Sequence, residues 1–266
     1  MLNTICHDGG ALVDGPFGQD GRVPLLLVHG LFGSAKNWGG FARRLSTGRP
    51  VLTVDMRNHG DSPRMDSHTY ADMADDIAEV IAAHGGRAHV MGHSMGGKTV
   101  MQLALTRPEL LASLVVADIA PVPYAHSQTE NIHAMRDTDL GGLTGRADAE
   151  ARLAEHVADP ALRAFFLQSL DMRADPPRWK LNLDVLERAM PGIIGWPGTE
   201  GRYDGPTLFL TGADSRYVLP EHRPVIQALF PRARFARIPG AGHWLHADRP
   251  REFEASITAW LEAVGG

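Results

Sequence analysis

The chain has 266 residues, 44% of them hydrophobic and 21% charged, with a formal net charge of −5 and a single cysteine. That is enough apolar material for one full core, and one α/β domain carrying an insertion fits better than two equal domains. The negative balance and the lack of any Lys/Arg-rich run exclude nucleic acid as an expected partner, and the lone Cys6 excludes an intramolecular disulfide and a cysteine-based metal cluster.

The opening stretch from Met1 to Asp14 has no basic run leading into an apolar one, and nowhere do about 18 apolar residues follow one another. A soluble, cytoplasmic protein without a membrane partner is expected. Short apolar runs and helix-like stretches then alternate. A strand is predicted at Leu25 to Val28, a helix at Asn37 to Leu45, a strand at Val51 to Val54, a helix at Tyr70 to His84, a strand at Ala88 to Met91, a helix at Met95 to Leu105 and a strand at Leu114 to Ala117. After a gap come a strand at Thr207 to Leu210, a helix at Glu221 to Phe230, a strand at Arg234 to Ile238 and a helix at Pro250 to Val264. Apolar strands bounded by Gly, Pro or Asp and separated by helices predict a mostly parallel sheet flanked by helices. The alternation fails from about Val122 to Tyr203, where Pro160, Pro176, Pro177, Pro191 and Pro197 punctuate a helical and irregular stretch. An inserted cap over the carboxyl edge of the sheet is expected there.

Open parallel sheets bind ligands beyond the carboxyl ends of their strands, so the residues following each strand carry the functional reading. Gly92-His93-Ser94-Met95-Gly96 lies between a strand and a helix and has the form of a nucleophile elbow, in which a serine on a sharp turn needs nearly side-chain-free neighbours so that strand and helix can approach. His29-Gly30-Leu31-Phe32-Gly33-Ser34 follows an earlier strand, and a glycine-rich turn there can aim the Leu31 N–H, together with that of Met95, at a developing oxyanion. A tight turn closed by Ser34 as a helix cap is the plainer reading of that segment. His59, within the polar stretch from Asp55 to Ser62, reads as a locally hydrogen-bonded turn residue rather than a base or ligand. Pro239-Gly240-Ala241-Gly242-His243-Trp244 follows the last strand, and its glycines allow His243 to project over the sheet edge as the general base for Ser94, with the nearby His246 in a packing or capping role. The acid that orients the imidazole has two candidates at strand ends, Asp118 and Asp214, each of which could also be a turn residue bonding its own backbone.

Together, the stretches His29 to Ser34, Asp55 to Gly60, Gly92 to Lys98, Asp118 to Pro121 and Gly240 to Trp244 resemble the YbfF-type esterases, a bacterial group with a mitochondrial α/β-hydrolase relative in animals. The likeness runs through the cap by way of Trp179 to Asn182 and Gly195-Trp196. It implies an α/β-hydrolase fold with an eight-stranded, mostly parallel sheet and a small helical cap inserted after strand six, the core comprising residues 1–121 and 204–266 and the cap residues 122–203. It implies esterase activity on short to medium acyl esters, with acyl-CoA thioesters as a further substrate class, and no cofactor. The usual acid of the fold falls two residues before an aromatic-Val pair, which here is Ser215, and Asp214 is displaced by one. The resemblance implies instead an aspartate after strand six, which is Asp118, with Asp214 as the alternative and Asp184 in the cap a remote third.

In the cap, Phe165, Phe166, Leu167, Trp179 and Trp196 read as the cap's own core or as an acyl pocket, and Arg173, Arg178 and Lys180 as solvated charges or anion contacts. The fold also hosts cofactor-free carbon-carbon hydrolases, lyases and perhydrolases on the same triad. A reading of another kind is a small-molecule receptor or scaffold on a hydrolase body, against which a complete triad counts.

Overall fold

The computed structural model describes residues 1–15, 17 and 21–265. In chain order the elements are β1 (Thr4–Asp8), β2 (Ala11–Val13), β3 (Leu25–Val28), α1 (Gly39–Leu45), β4 (Val51–Val54), α2 (Tyr70–Ala83), β5 (Ala88–His93), α3 (Met95–Thr106) and β6 (Leu111–Ala117). The chain then leaves the main sheet for α4 (Thr129–Asp137), α5 (Arg146–Leu153), α6 (Pro160–Phe166), the short pair β7 (Leu170–Asp171) and β8 (Arg178–Trp179), and α7 (Leu183–Ile194). It returns with β9 (Thr207–Gly212), α8 (Arg223–Leu229), β10 (Ala233–Ile238), the single turn α9 (Leu245–Asp248) and α10 (Pro250–Val264).

The main sheet has eight strands in the order β10-β9-β6-β5-β3-β4-β1-β2. From β10 to β4 all neighbours are parallel, and β1 and β2 add an antiparallel edge. The central strands form because their runs are apolar on both faces. Leu26 and Val28 of β3 join the core on one side of the sheet with Ile77, Val100 and Phe209, while Leu25 and Leu27 face the other side with Trp38, Phe253 and Ile257. This alternation is what a strand buried between two helical layers requires. α2 turns its apolar residues Met73, Ile77 and Ile81 inward, and its first turn is capped by Thr69, whose side chain accepts from Asp72 N at 3.2 Å.

Two differences from the sequence reading have physical causes. The sheet has the eight strands that the resemblance implies, but the sequence does not locate the edge strands β1 and β2, because β1 is a mixed Thr-Ile-Cys-His-Asp run and β2 is only the three residues Ala-Leu-Val. The central strands β5, β6 and β9 are longer than their apolar runs, since backbone pairing continues through Gly92, His93 and Gly212. The register brings the strand ends level: Val28 pairs with Val54 and Gly92, His93 with Ala117, and Ala117 with Leu210. Residues 29, 55, 94 and 118 therefore all emerge at one edge of the sheet.

Candidate active site

Ser94 occupies the one-residue corner between β5 and α3, with φ 54 and ψ −121. Its N–H donates to Ala117 O at 3.0 Å and its carbonyl accepts from Lys98 N at 3.1 Å, so a left-handed residue joins the ladder directly to the helix. The corner is possible because its flanks lack side chains: a Cβ on Gly92 would collide with the carbonyl of Gly96, and one on Gly96 would lie 2.5 Å from His29 O. Ser94 lines a cavity of about 270 Å3, together with Leu31, Met95, Tyr217 and His243.

His243 projects from the loop between β10 and α9, and its Nδ1–H donates to Asp118 Oδ2 at 2.8 Å. The neutral ring then carries its free lone pair on Nε2. Asp118 is fully buried and, like Ser94, sits past a strand end at positive φ, 51. Its N–H continues the sheet to Leu210 O at 2.9 Å, its Oδ1 accepts from Gly212 N at 3.1 Å, and the Ser215 hydroxyl donates to its Oδ2. The buried carboxylate is thus supplied with three donors. Asp214 is exposed; its N–H donates to Ala241 O at 2.9 Å, and among the described residues its side chain makes no hydrogen bond. Asp184 is also far from this cluster, on the surface in an ion pair with Arg136.

His243 is held on two further sides. The Tyr217 ring stacks on the imidazole with centroids 3.8 Å apart and planes 18° apart, and His93 Nε2–H donates to the His243 carbonyl at 2.8 Å. His93 is kept neutral, its pKa pushed well below the ordinary histidine value by burial first and by the neighbouring His243 second. Among the described residues no hydrogen bond joins the Ser94 hydroxyl to His243.

Leu31 and Met95 both line the cavity. Met95 is the first residue of α3 and so has no intrahelical acceptor, and neither amide meets another acceptor among the described residues. The turn carrying Leu31 is braced from below. His59 Nε2 accepts from Phe32 N at 3.2 Å while its Nδ1–H donates to Arg57 O at 3.0 Å. His29 Nε2 accepts from Met56 N at 2.9 Å, and Asp55 Oδ1 accepts from Ala35 N at 2.7 Å. Burial lowers the pKa of both histidines, which suits acceptors that must stay neutral. His59 is therefore a turn brace, as the sequence suggested.

Residues 23–250 match the family described as alpha/beta hydrolase fold. The chain belongs to the α/β-hydrolase family. The hydrolase is 40% identical to the sn-1-specific diacylglycerol lipase ABHD11 of Danio rerio, over 92% of its own length and 80% of the relative's. It is 37% identical to the esterase YbfF of Escherichia coli strain K12, over 91% of its length and 94% of the relative's. Among solved structures, a marine microorganism esterase matches with a TM-score of 0.88 at 34% identity, covering 98% of this chain and 99% of that one. The expected family and fold are borne out, and the protein is a hydrolase of the esterase/lipase kind.

Several residues of this hydrolase site carried no role in the sequence reading. His93 and Tyr217, which clamp His243, stand within motifs but gave no sign of what they touch, since their partner lies 150 and 26 positions away. Lys98 ends the elbow motif in sequence, and the structure buries it against the cavity. His246 packs as expected, its ring 4.6 Å from that of Trp38. Of the aromatic residues between β6 and β9, Phe165 and Phe166 line the cavity, whereas Trp179 is buried with its Nε1–H donating to Met135 O at 2.7 Å. Lys180 pairs with Asp61 at 2.5 Å. Among the described residues no cluster of His, Cys, Asp or Glu is grouped to hold a metal ion, and no helix is long and apolar enough to cross a membrane.

Proposed function

We propose that this hydrolase cleaves carboxylic esters of short to medium acyl chains through a Ser94-His243-Asp118 triad. The observation that carries the reading is the buried Asp118 carboxylate bonded to His243 Nδ1 on a loop over the same cavity that Ser94 lines. His243 Nε2 takes the Ser94 proton as Oγ attacks the acyl carbon, and the oxyanion is received by the Leu31 and Met95 N–H groups. Collapse of the tetrahedral intermediate expels the alcohol, which leaves with the proton from His243. Water, deprotonated by the same imidazole, then attacks the acyl-enzyme, releasing the acid and returning the proton to Ser94. No step calls for a cofactor. Asp118 holds one tautomer throughout and offsets the imidazolium charge.

Residues 122–203 act in this reading as a cap over a core of residues 1–121 and 204–266. Leu162, Phe165, Phe166, Ile193 and Ile194, all from that segment, line the cavity and support it. A volume of about 270 Å3 lies near the lower bound of small-molecule sites, about 300 Å3, which favours shorter chains. An acyl-CoA or other thioester is a second leaving-group class for the same acyl-enzyme. A cytoplasmic setting agrees with Cys6, which is buried and unpaired. The clamped His243 favours catalysis over a receptor role, since a ligand pocket has no need of an oriented imidazole.

The test is hydrolysis of p-nitrophenyl esters from acetate to palmitate by the wild type and Ser94→Ala. Turnover that declines with the longer chains and disappears in the variant is expected. Turnover that is absent, or unchanged in Ser94→Ala, contradicts the serine esterase and turns attention to carbon-carbon cleavage, peracid formation or ligand binding.

A further inference from the structure

Lys98 lies one helical turn beyond Ser94 on α3, and the reaction above makes no use of it. Its side chain is 1% exposed and lines the cavity with Ser94 and His243. The ammonium donates to Ile194 O at 3.0 Å and to Gly195 O, the end of α7, and stands 4.7 Å from the ring centroid of Tyr124 and 5.9 Å from that of Tyr70. Burial lowers its pKa to about 7, and no carboxylate forms an ion pair with it among the described residues. The groups around it cannot supply one. The Tyr70 hydroxyl donates to Ile193 O at 2.5 Å, the Tyr124 hydroxyl donates to Tyr217 O at 2.7 Å, and His126, on the same cavity, has its pKa lowered by burial first and then by His243 and the Lys98 charge.

A desolvated ammonium with two neutral acceptors and no counter-ion is costly. Closing the carbonyl end of α7 does not require that cost, because a neutral amide could donate there equally well. The cavity is lined by the apolar Ile119, Ile193, Ile194 and Phe166 and by the neutral Tyr70, Tyr124, Gln128 and Asn131, and among the described residues that line it Lys98 is the only lysine or arginine. Lys98 also shares α3 with Met95, three residues on from the amide proposed to receive the oxyanion, whereas His243 comes from the loop after β10.

We propose that Lys98 selects the substrate by receiving a carboxylate at the far end of the acyl chain, so that the preferred substrates are half-esters or half-thioesters of short dicarboxylic acids. The proposal rests on the serine esterase reading of the same cavity. Lys98 binds and does not react; no bond to its nitrogen forms or breaks.

The experiment compares kcat/KM for p-nitrophenyl hydrogen glutarate and for p-nitrophenyl 5-methylhexanoate, its neutral isostere, in the wild type and in Lys98→Gln. Glutamine keeps a donor for the α7 carbonyls and removes the charge. The wild type is expected to favour the acid by roughly tenfold, and Lys98→Gln to lower the acid-to-neutral ratio by about 100-fold, chiefly through KM for the acid. A wild-type ratio below one overturns the proposal whether or not the variant folds. Equal losses on both esters in Lys98→Gln overturn it too, since that is the result of an anchoring role alone. Release from neither ester overturns the esterase reading and this proposal with it, while rapid release from the neutral ester alone overturns only this proposal.

Discussion

At Asp118 three donors converge on one buried carboxylate: the His243 imidazole, the Gly212 amide and the Ser215 hydroxyl. Replacing it with Asn reverses one of those contacts and removes the preference for the Nδ1–H tautomer, so kcat for an ester is expected to fall by on the order of 10⁴. Asp214→Asn alters an exposed side chain and is expected to stay close to wild type; steady-state kinetics on the two variants check the pair. Ser215→Ala removes one charge-assisted donor without touching the imidazole, and a loss on the order of tenfold is expected. The sequence placed both aspartates after strands and left them open on residue chemistry alone. What separates them is the direction of one side chain at φ 51 against that of another in the loop after β9, and turn geometry of that kind depends on contacts with Leu210 and Gly212 that lie about ninety positions downstream. Separation in sequence likewise hides His93 and Tyr217 as supports of His243, at 150 and 26 positions from it.

Among the elements, the β5-corner-α3 unit is the most legible and the least tolerant. Glycines at 92 and 96 were read from the motif as a need for close approach, and the structure supplies the reason: Gly96 Cα abuts the end of β3, where a Cβ would meet His29 O at 2.5 Å and Val28 O at 2.7 Å. Gly96→Ala is therefore expected to push α3 away from β3, displacing the Met95 amide and Ser94 together. Activity should fall by at least about 100-fold, with a lowered melting temperature by circular dichroism; a variant with wild-type kinetics would mean that the corner is looser than its geometry. β3 and β4 were readable to the residue because every position is buried. β1 and β2 were not, since an edge strand needs only a partner's backbone and leaves little trace in side-chain pattern. Between β6 and β9 the sequence announced a helical insertion but not which residues face the cavity, because that choice depends on how α6 and α7 sit over Ser94.

Over the molecule as a whole, the unusual feature is how many buried groups are held away from their ordinary protonation. Burial lowers His68 from 6.5 to about 3, and His89 and His246 from 6.5 to about 4. The unfolded chain takes up these protons near 6.5 and the folded chain only near 3 to 4, so the folded state binds fewer protons between those limits. Their contribution is fully present above pH 6.5 and is lost as pH falls toward 4. Lys98, lowered from 10.5 to about 7, has the same sign in a higher window, adding stability as pH rises from 7 toward 10.5. Each pKa unit is worth about 1.4 kcal/mol at full burial, and a domain holds only about 5 to 15 kcal/mol in all. Thermal melts are therefore expected to drop by on the order of 10 °C between pH 7.5 and 5, and His89→Gln should flatten the slope; a melting temperature independent of pH over that range would contradict these directions.

The proposed triad depends on the nucleophilicity of Ser94. It is measured most directly as the rate at which an alkyl fluorophosphonate attaches to the protein, followed by intact mass and by mapping of the modified peptide. One adduct per chain, on Ser94, is expected in the wild type and in Asp214→Asn at similar rates, slowed by about 10⁴ in Asp118→Asn and absent in Ser94→Ala. Equal labelling of the two aspartate variants, or an adduct that persists in Ser94→Ala, would contradict the Ser94-His243-Asp118 relay.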